Sequence, residues 1–137
     1  MRMIKVGMLL SLLFVLSACG AAKMDQNSAL QQAQYAYSAA IRWGDFEGAW
    51  NMVDPVYRAA HPLSSVELAR YKQVQVSRYH DTGSRVTGDS AVREVEIGVV
   101  NRNTLVQRDA RYQEQWRYDA ATGQWWITGG LPDFWKD

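Results

Sequence analysis

Residues 105–119 constrain this chain more than any other stretch, because they alternate over fifteen consecutive positions. Leu105, Gln107, Asp109, Arg111, Gln113, Gln115, Arg117 and Asp119 fall on one face. Val106, Arg108, Ala110, Tyr112, Glu114, Trp116 and Tyr118 fall on the other. A period of two with one mainly polar face is the signature of a strand with one side covered and one side in water. Such a strand needs neighbours, and the flanking sequence supplies them. Residues 91–101 place Val95, Ile97 and Val99 on one face and Glu94 and Glu96 on the other. Val74 and Val76 alternate with Gln73, Gln75 and Ser77, and a last strand is expected over residues 125–129. Asp81-Thr82-Gly83, Thr87-Gly88-Asp89 and residues 120–124 read as turns between them.

The first half of the chain has a helical period instead. Asp25, Asn27 and Ser28 are helix-start residues, and Leu30, Ala33, Tyr37, Ala40 and Ile41 recur on one stripe. Gly44 is placed to end that helix. Asp45 then opens a second, with Phe46, Ala49, Trp50 and Val53 buried, which Asp54-Pro55 stops. Residues 56–62 read as a turn of helix and a loop. Ser64 and Glu67 form a capping-box pattern opening a short helix that ends near Tyr71. The expected fold is therefore α+β, with two to three N-terminal helices packed on one face of a curved, mainly antiparallel four-stranded sheet.

The start of the chain belongs to a different problem. Arg2 and Lys5 precede an apolar run over residues 6–16 and then Ser17-Ala18-Cys19. A charged start, a short apolar stretch and small residues before a cut describe a secretory signal. The run is about half of the roughly 20 residues that a helix needs to cross a bilayer. Leu16-Ser17-Ala18-Cys19 resembles the bacterial lipobox. That resemblance implies a signal peptide over residues 1–18, a diacylglyceryl group and further acylation on Cys19, and a lipidated tether over residues 19–27. A domain over residues 28–137 would follow. Gly20, where an Asp favours inner-membrane retention, implies the periplasmic side of the outer membrane.

Removing the signal changes the composition that matters. Of 15 Lys+Arg, Arg2 and Lys5 are lost, leaving 13 against 14 Asp+Glu, so the net charge moves from +1 to −1. No basic run remains, which argues against nucleic acid as a partner. Cys19 is the one cysteine of the chain, so no disulfide is available and a hydrophobic core must carry stability. All six Trp and seven Tyr lie after residue 18, enough for a core and for aromatic surface besides.

The helix and break Tyr37-Ser38-Ala39-Ala40-Ile41-Arg42-Trp43-Gly44-Asp45-Phe46-Glu47-Gly48-Ala49-Trp50, followed by Asp54-Pro55, resemble the opening of NTF2-like domains. The hairpin from Trp116-Arg117-Tyr118-Asp119 to Gly123-Gln124-Trp125-Trp126 and the order of elements resemble them too. The resemblance covers about residues 28–131. It implies a cone in which a sheet wraps a long helix around a cavity, and a homodimer through the sheet.

Three groups of residues are candidates for function. Arg108 and Glu114 share the covered face of the long strand, six residues and about 20 Å apart, so they do not pair with each other. They either line the mouth of a polar cavity, with Tyr112 between them, or stand in solvent where the strand outruns the helices. Arg93 and Asn101 pose the same alternative. Asp54, Tyr57, Arg58 and His61, with Tyr35, are the residue types that isomerases and dehydratases of the NTF2-like kind use as base and donor. No spacing here matches their catalytic signature, and Asp54 before Pro55 is also an ordinary turn former. Trp125, Trp126 and Trp135 form the third group. Trp125 and Trp126 must point to opposite faces, one into the core and one outward, where it is an interface candidate unless Phe134 and Trp135 fold over it.

His61 and His80 have no His or Cys at ligand spacing, so no metal is expected, and no motif for a cofactor, phosphate or nucleophile is present. The chain reads as an envelope-anchored, non-catalytic binding or assembly module. An envelope protein or a small apolar molecule would be its partner. A cavity enzyme and a structural accessory subunit are the alternatives.

Overall fold

The computed structural model describes residues 25–136. The expected signal peptide, Cys19 and the first part of the tether lie outside the described residues. Asp25 caps α1, Gln26–Arg42, its Oδ1 accepting from the Ser28 amide at 2.8 Å. The last two tether residues, Gln26 and Asn27, are thus already helical. Leu30, Tyr37 and Ile41 are buried along one stripe. Gly44, at φ +75°, ends the helix: its amide donates to Ile41 O and that of Asp45 to Ala40 O, the two bonds of a Schellman cap.

Asp45 at once caps α2, Phe46–Trp50, by accepting from the Gly48 amide at 2.9 Å. This helix stops before Val53, earlier than the sequence suggests. The reason is tertiary: the Ile127 amide donates to Met52 O, the Asp54 amide donates to Ile127 O, and Val53 makes a bridge to the last strand. Asp54 then caps α3, Pro55–Ala60, so the turn of helix expected after Asp54-Pro55 is present and runs to Ala60 before the loop. Ser64 and Glu67 form the complete capping box of α4, Ser65–Tyr71. The described residues thus hold four helices where two to three were expected.

The strands β1, Val74–Thr87, β2, Ser90–Asn101, β3, Gln107–Asp119, and β4, Gln124–Ile127, form one antiparallel sheet in chain order. Asp81-Thr82-Gly83 is not a turn. It lies within β1 as a register shift, where the pairing with β2 slips by one residue and continues. The turn is Gly88-Asp89, with Gly88 at φ +57°. The long strand also starts two residues late. Asn101 Oδ1 accepts from the Asn103 and Thr104 amides and Leu105 takes φ +59°, which leaves Leu105 and Val106 in an exposed loop.

The core lies between α1, α2 and the inner sheet face: Tyr37, Ile41, Phe46, Ile97, Trp116 and Ile127 are among its buried members. Phe134 folds back against Phe46 and Tyr71, with ring centroids 6.1 and 5.7 Å away.

Candidate functional site

Two places collect chemistry-bearing side chains, one inside the domain and one at its end. The inner one begins with register: β2 and β3 set Arg93 directly opposite Glu114 on the covered face. Arg93 Nε donates to Glu114 Oε2, and Nη2 donates to Oε1 at 2.9 Å and to Gln34 O of α1 at 3.3 Å. Asp81 stands 3.9 Å from Nη1. Glu114 has no exposed surface, so a planar, two-pronged donor is the partner its charge requires. Burial pushes the Glu114 carboxyl above the usual carboxylate range, and Arg93 pulls against that rise without cancelling it. Burial also works against the Arg93 charge, but Glu114 outweighs it and raises the guanidinium further.

Tyrosines fill the space around this pair. Tyr112 donates to Gly130 O at 3.1 Å, which commits its proton, so Tyr37 donates to the Tyr112 hydroxyl at 2.9 Å. Tyr37 meets Trp116 edge-on at 5.6 Å. Tyr79 lies 5.9 Å under the Arg93 guanidinium, with its buried hydroxyl beside the Glu114 carboxylate. Burial pushes the Tyr37, Tyr79 and Tyr112 hydroxyls well up, so all three stay protonated at neutral pH.

The outer place is a cleft of about 320 Å³ between the ends of α2, α3 and α4 and the C-terminal segment. Trp50, Tyr57, Tyr71 and Trp135 give it aromatic walls, and Glu67, Arg70 and Asp133 add charge. His61 stacks on Tyr57 at 4.2 Å, with Nδ1 3.2 Å from Tyr57 O. Tyr71 donates to Pro132 O at 2.8 Å, which ties the C-terminal segment to α4. The Arg70 guanidinium lies 4.0 Å over the Trp135 ring.

The sequence candidates divide between these places and the surface. Tyr57 and His61 line the cleft, whereas Tyr112 and Glu114 belong to the interior. Glu114 does not stand in solvent, the alternative expected for it at a strand end, because α1 covers that part of β3 through Arg93 and Gln34. Arg108 is exposed, beside a smaller depression that Val99 and Phe134 also line. Tyr35 is 77% exposed on the outer side of α1 and joins neither place. Asp54 is occupied structurally: it caps α3 and accepts from Arg117 Nη2 at 2.7 Å, while Arg58 donates to Val53 O. Trp125 enters the core, its indole donating to Gln26 O, and Trp126 is half-buried on the opposite face. Phe134 and Trp135 pack on Tyr71 instead of covering it. Arg93 and Glu114 were each visible in the sequence as charges in phase with a covered face, but their pairing was not. The Glu67, Arg70 and Tyr71 wall carried no signal beyond an ordinary amphipathic turn.

Among the described residues no group of three or more His, Cys, Asp or Glu could hold a metal ion. No helix among them is long and apolar enough to cross a membrane.

No protein-family model matches the chain, and no curated protein does. Solved structures do. A SEC-C motif-containing protein from Rhodopseudomonas palustris superposes with a TM-score of 0.57 at 19% identity, over 76% of each chain. A ketosteroid isomerase-like protein from Erwinia carotovora atroseptica gives 0.52 at 21% identity, over 76% of this chain and 92% of that one. An NTF2-like protein from Cytophaga hutchinsonii gives 0.50 at 16%, over 76% and 93%. The fold is NTF2-like. At these identities the likeness carries the NTF2-like architecture and no activity.

Proposed function

We propose that this chain is a lipid-anchored, non-catalytic binding or assembly module of the cell envelope, recognising its ligand through the cleft at the end of the NTF2-like domain. The observation that carries the reading is that the interior acid and hydroxyl groups are already paired. Isomerase- and dehydratase-type chemistry needs a base beside a donor in an open cavity. Here Glu114, the one buried carboxylate among the described residues, is clamped by Arg93, while Tyr37 spends its proton on Tyr112 and Tyr112 spends its own on Gly130 O. His61 is exposed and stacked on a ring, and Asp54 is a cap. The cleft is concave, aromatic and of small-ligand size, the usual properties of a recognition site.

Anchoring rests on residues 16–19 and on the arithmetic of acyl chains: one binds marginally, whereas two or more hold firmly. Outer-membrane, periplasm-facing placement follows from Gly20 by the lipobox resemblance. The mature protein should begin at Cys19 and carry fatty-acid mass there, and Cys19→Ala should leave the membrane fraction. An acyl-free N-terminus would end the anchoring claim. For the cleft, amide exchange compared between native envelopes and purified protein should show protection confined to residues 57–71 and 130–135. Protection only on the outer sheet face, around Arg111 and Gln113, would move the recognition surface there.

A further inference from the structure

We infer that the end cleft recognises a small organic cation, an alkylated ammonium group, which takes the face of Trp135 that Arg70 now covers. This rests on the cleft being the recognition site and goes on to name its ligand class. Aromatic rings present a negative π face, and several of them around one space make a site for a cation that a single ring does not. Trp50, Tyr57, Tyr71 and Trp135 surround this space. Trp135 stands 5.1 Å from Tyr71, and Trp50 stands 6.2 Å from Tyr57, so the four rings line the cleft as two contacting pairs.

The charges agree in sign. Glu67 and Asp133 border the cleft against the single guanidinium of Arg70. Burial raises the Tyr71 hydroxyl first, Asp133 and Glu67 raise it further and Arg70 pulls it down, so both carboxylates are felt at the cleft wall. The decisive contact is Arg70 itself: its guanidinium lies 4.0 Å above the Trp135 centroid. The protein already places a cation on this ring, on an exposed side chain. Arg70 therefore acts as an internal competitor. An incoming ammonium group replaces it on the ring and keeps the two carboxylates as counter-charges.

Choline and its uncharged isostere 3,3-dimethylbutanol separate a cation site from an apolar one. The full-length protein in a non-ionic detergent is titrated with each, and the Trp135 indole resonance is followed by NMR after assignment with Trp135→Phe. Choline should shift that resonance saturably, and the isostere should bind at least about fivefold more weakly. Arg70→Ala removes the competitor and a like charge, so it should tighten choline binding by about two- to fivefold, the range of one exposed cation–π contact. Asp133→Asn keeps the turn to the Trp135 amide but loses a counter-charge, and should weaken binding by a similar factor. Both residues are exposed, so both variants should fold.

Equal binding of choline and its isostere, or weaker choline binding in Arg70→Ala, would overturn the cation assignment. So would silence of Trp135 to both compounds in a protein whose residues 57–71 are protected in envelopes, and the cleft reading would then survive. Silence together with no such protection would remove both.

Discussion

Replacing Arg93 by Met removes a guanidinium of which only 11% of the side chain is exposed, and strands a carboxylate with no exposure at all. Glu114 loses both Arg93 hydrogen bonds, and Arg93 is the cation that acts most on it. Breaking a buried pair from one side costs about 3–5 kcal/mol. Against a total of roughly 5–15 kcal/mol, that is a large share of the domain's stability. At about 4–8 °C per kcal/mol, the midpoint should fall by at least roughly 12 °C. The loss should depend on pH with a definite sign. Burial already holds the Glu114 carboxyl above its ordinary value of 4.5, and without Arg93 it must rise further. Between the unfolded and folded values the native state then holds more protons than the unfolded one, so stability falls as pH rises through that window. Arg93→Met should therefore be much less damaging at pH 5 than at pH 7.5. Urea unfolding followed by tryptophan fluorescence reads this directly, because Trp116 is buried against Tyr37. The double variant Arg93→Met, Glu114→Leu should come back to within about 1 kcal/mol of the native protein at both pH values, since an apolar pair carries no desolvation penalty. A loss below about 1 kcal/mol at pH 7.5, or an equal loss at both pH values, would refute the reasoning.

Gly48→Ala should destabilise by about 1 kcal/mol, the worth of an N-cap, because the new Cβ would lie 2.2 Å from Asp45 Oδ2 and push the cap off the Gly48 amide. Thermal melts of Gly48→Ala and Asp45→Ala should then show similar losses, and an unchanged midpoint for Gly48→Ala would exclude the cap's role. Burial works against the Asp54 charge, but Arg117 and the Val56 amide outweigh it and hold the carboxyl below its ordinary value of 3.8. Its contribution is thus present above that value and lost as pH falls. The stability gap between native protein and Asp54→Asn should narrow steadily below pH 4, and a constant gap would contradict that sign.

What the sequence disclosed was mostly local. The Asp25, Asp45 and Ser64 caps each join residues within three positions, so their chemistry could be recognised without knowing the fold. The alternation in residues 107–119 likewise identified β3 and its covered face. What it did not disclose was set by pairing at a distance. Arg93 and Glu114 are 21 residues apart, and only the register of β2 on β3 makes them partners. Thr82-Gly83 has the composition of a turn, yet the strand continues through it because pairing with β2 resumes on both sides. Val53 left its helical pattern for the same reason, drawn into a bridge with Ile127. The cleft was the least legible part, since its walls come from three helix ends and a C-terminal segment whose position depends on Tyr71 reaching Pro132 O.

The claim that this domain is tethered and recognises its ligand at the end cleft is tested most directly by a photo-crosslinking residue placed in living cells. Leu63, half-buried at the cleft, and Gln113, exposed on the outer sheet face, are the two positions to compare. A discrete adduct should form from Leu63, be missing from Gln113, and disappear in a Cys19→Ala background. An adduct from Gln113 alone, or one from Leu63 that persists undiminished without the cysteine, would contradict the account.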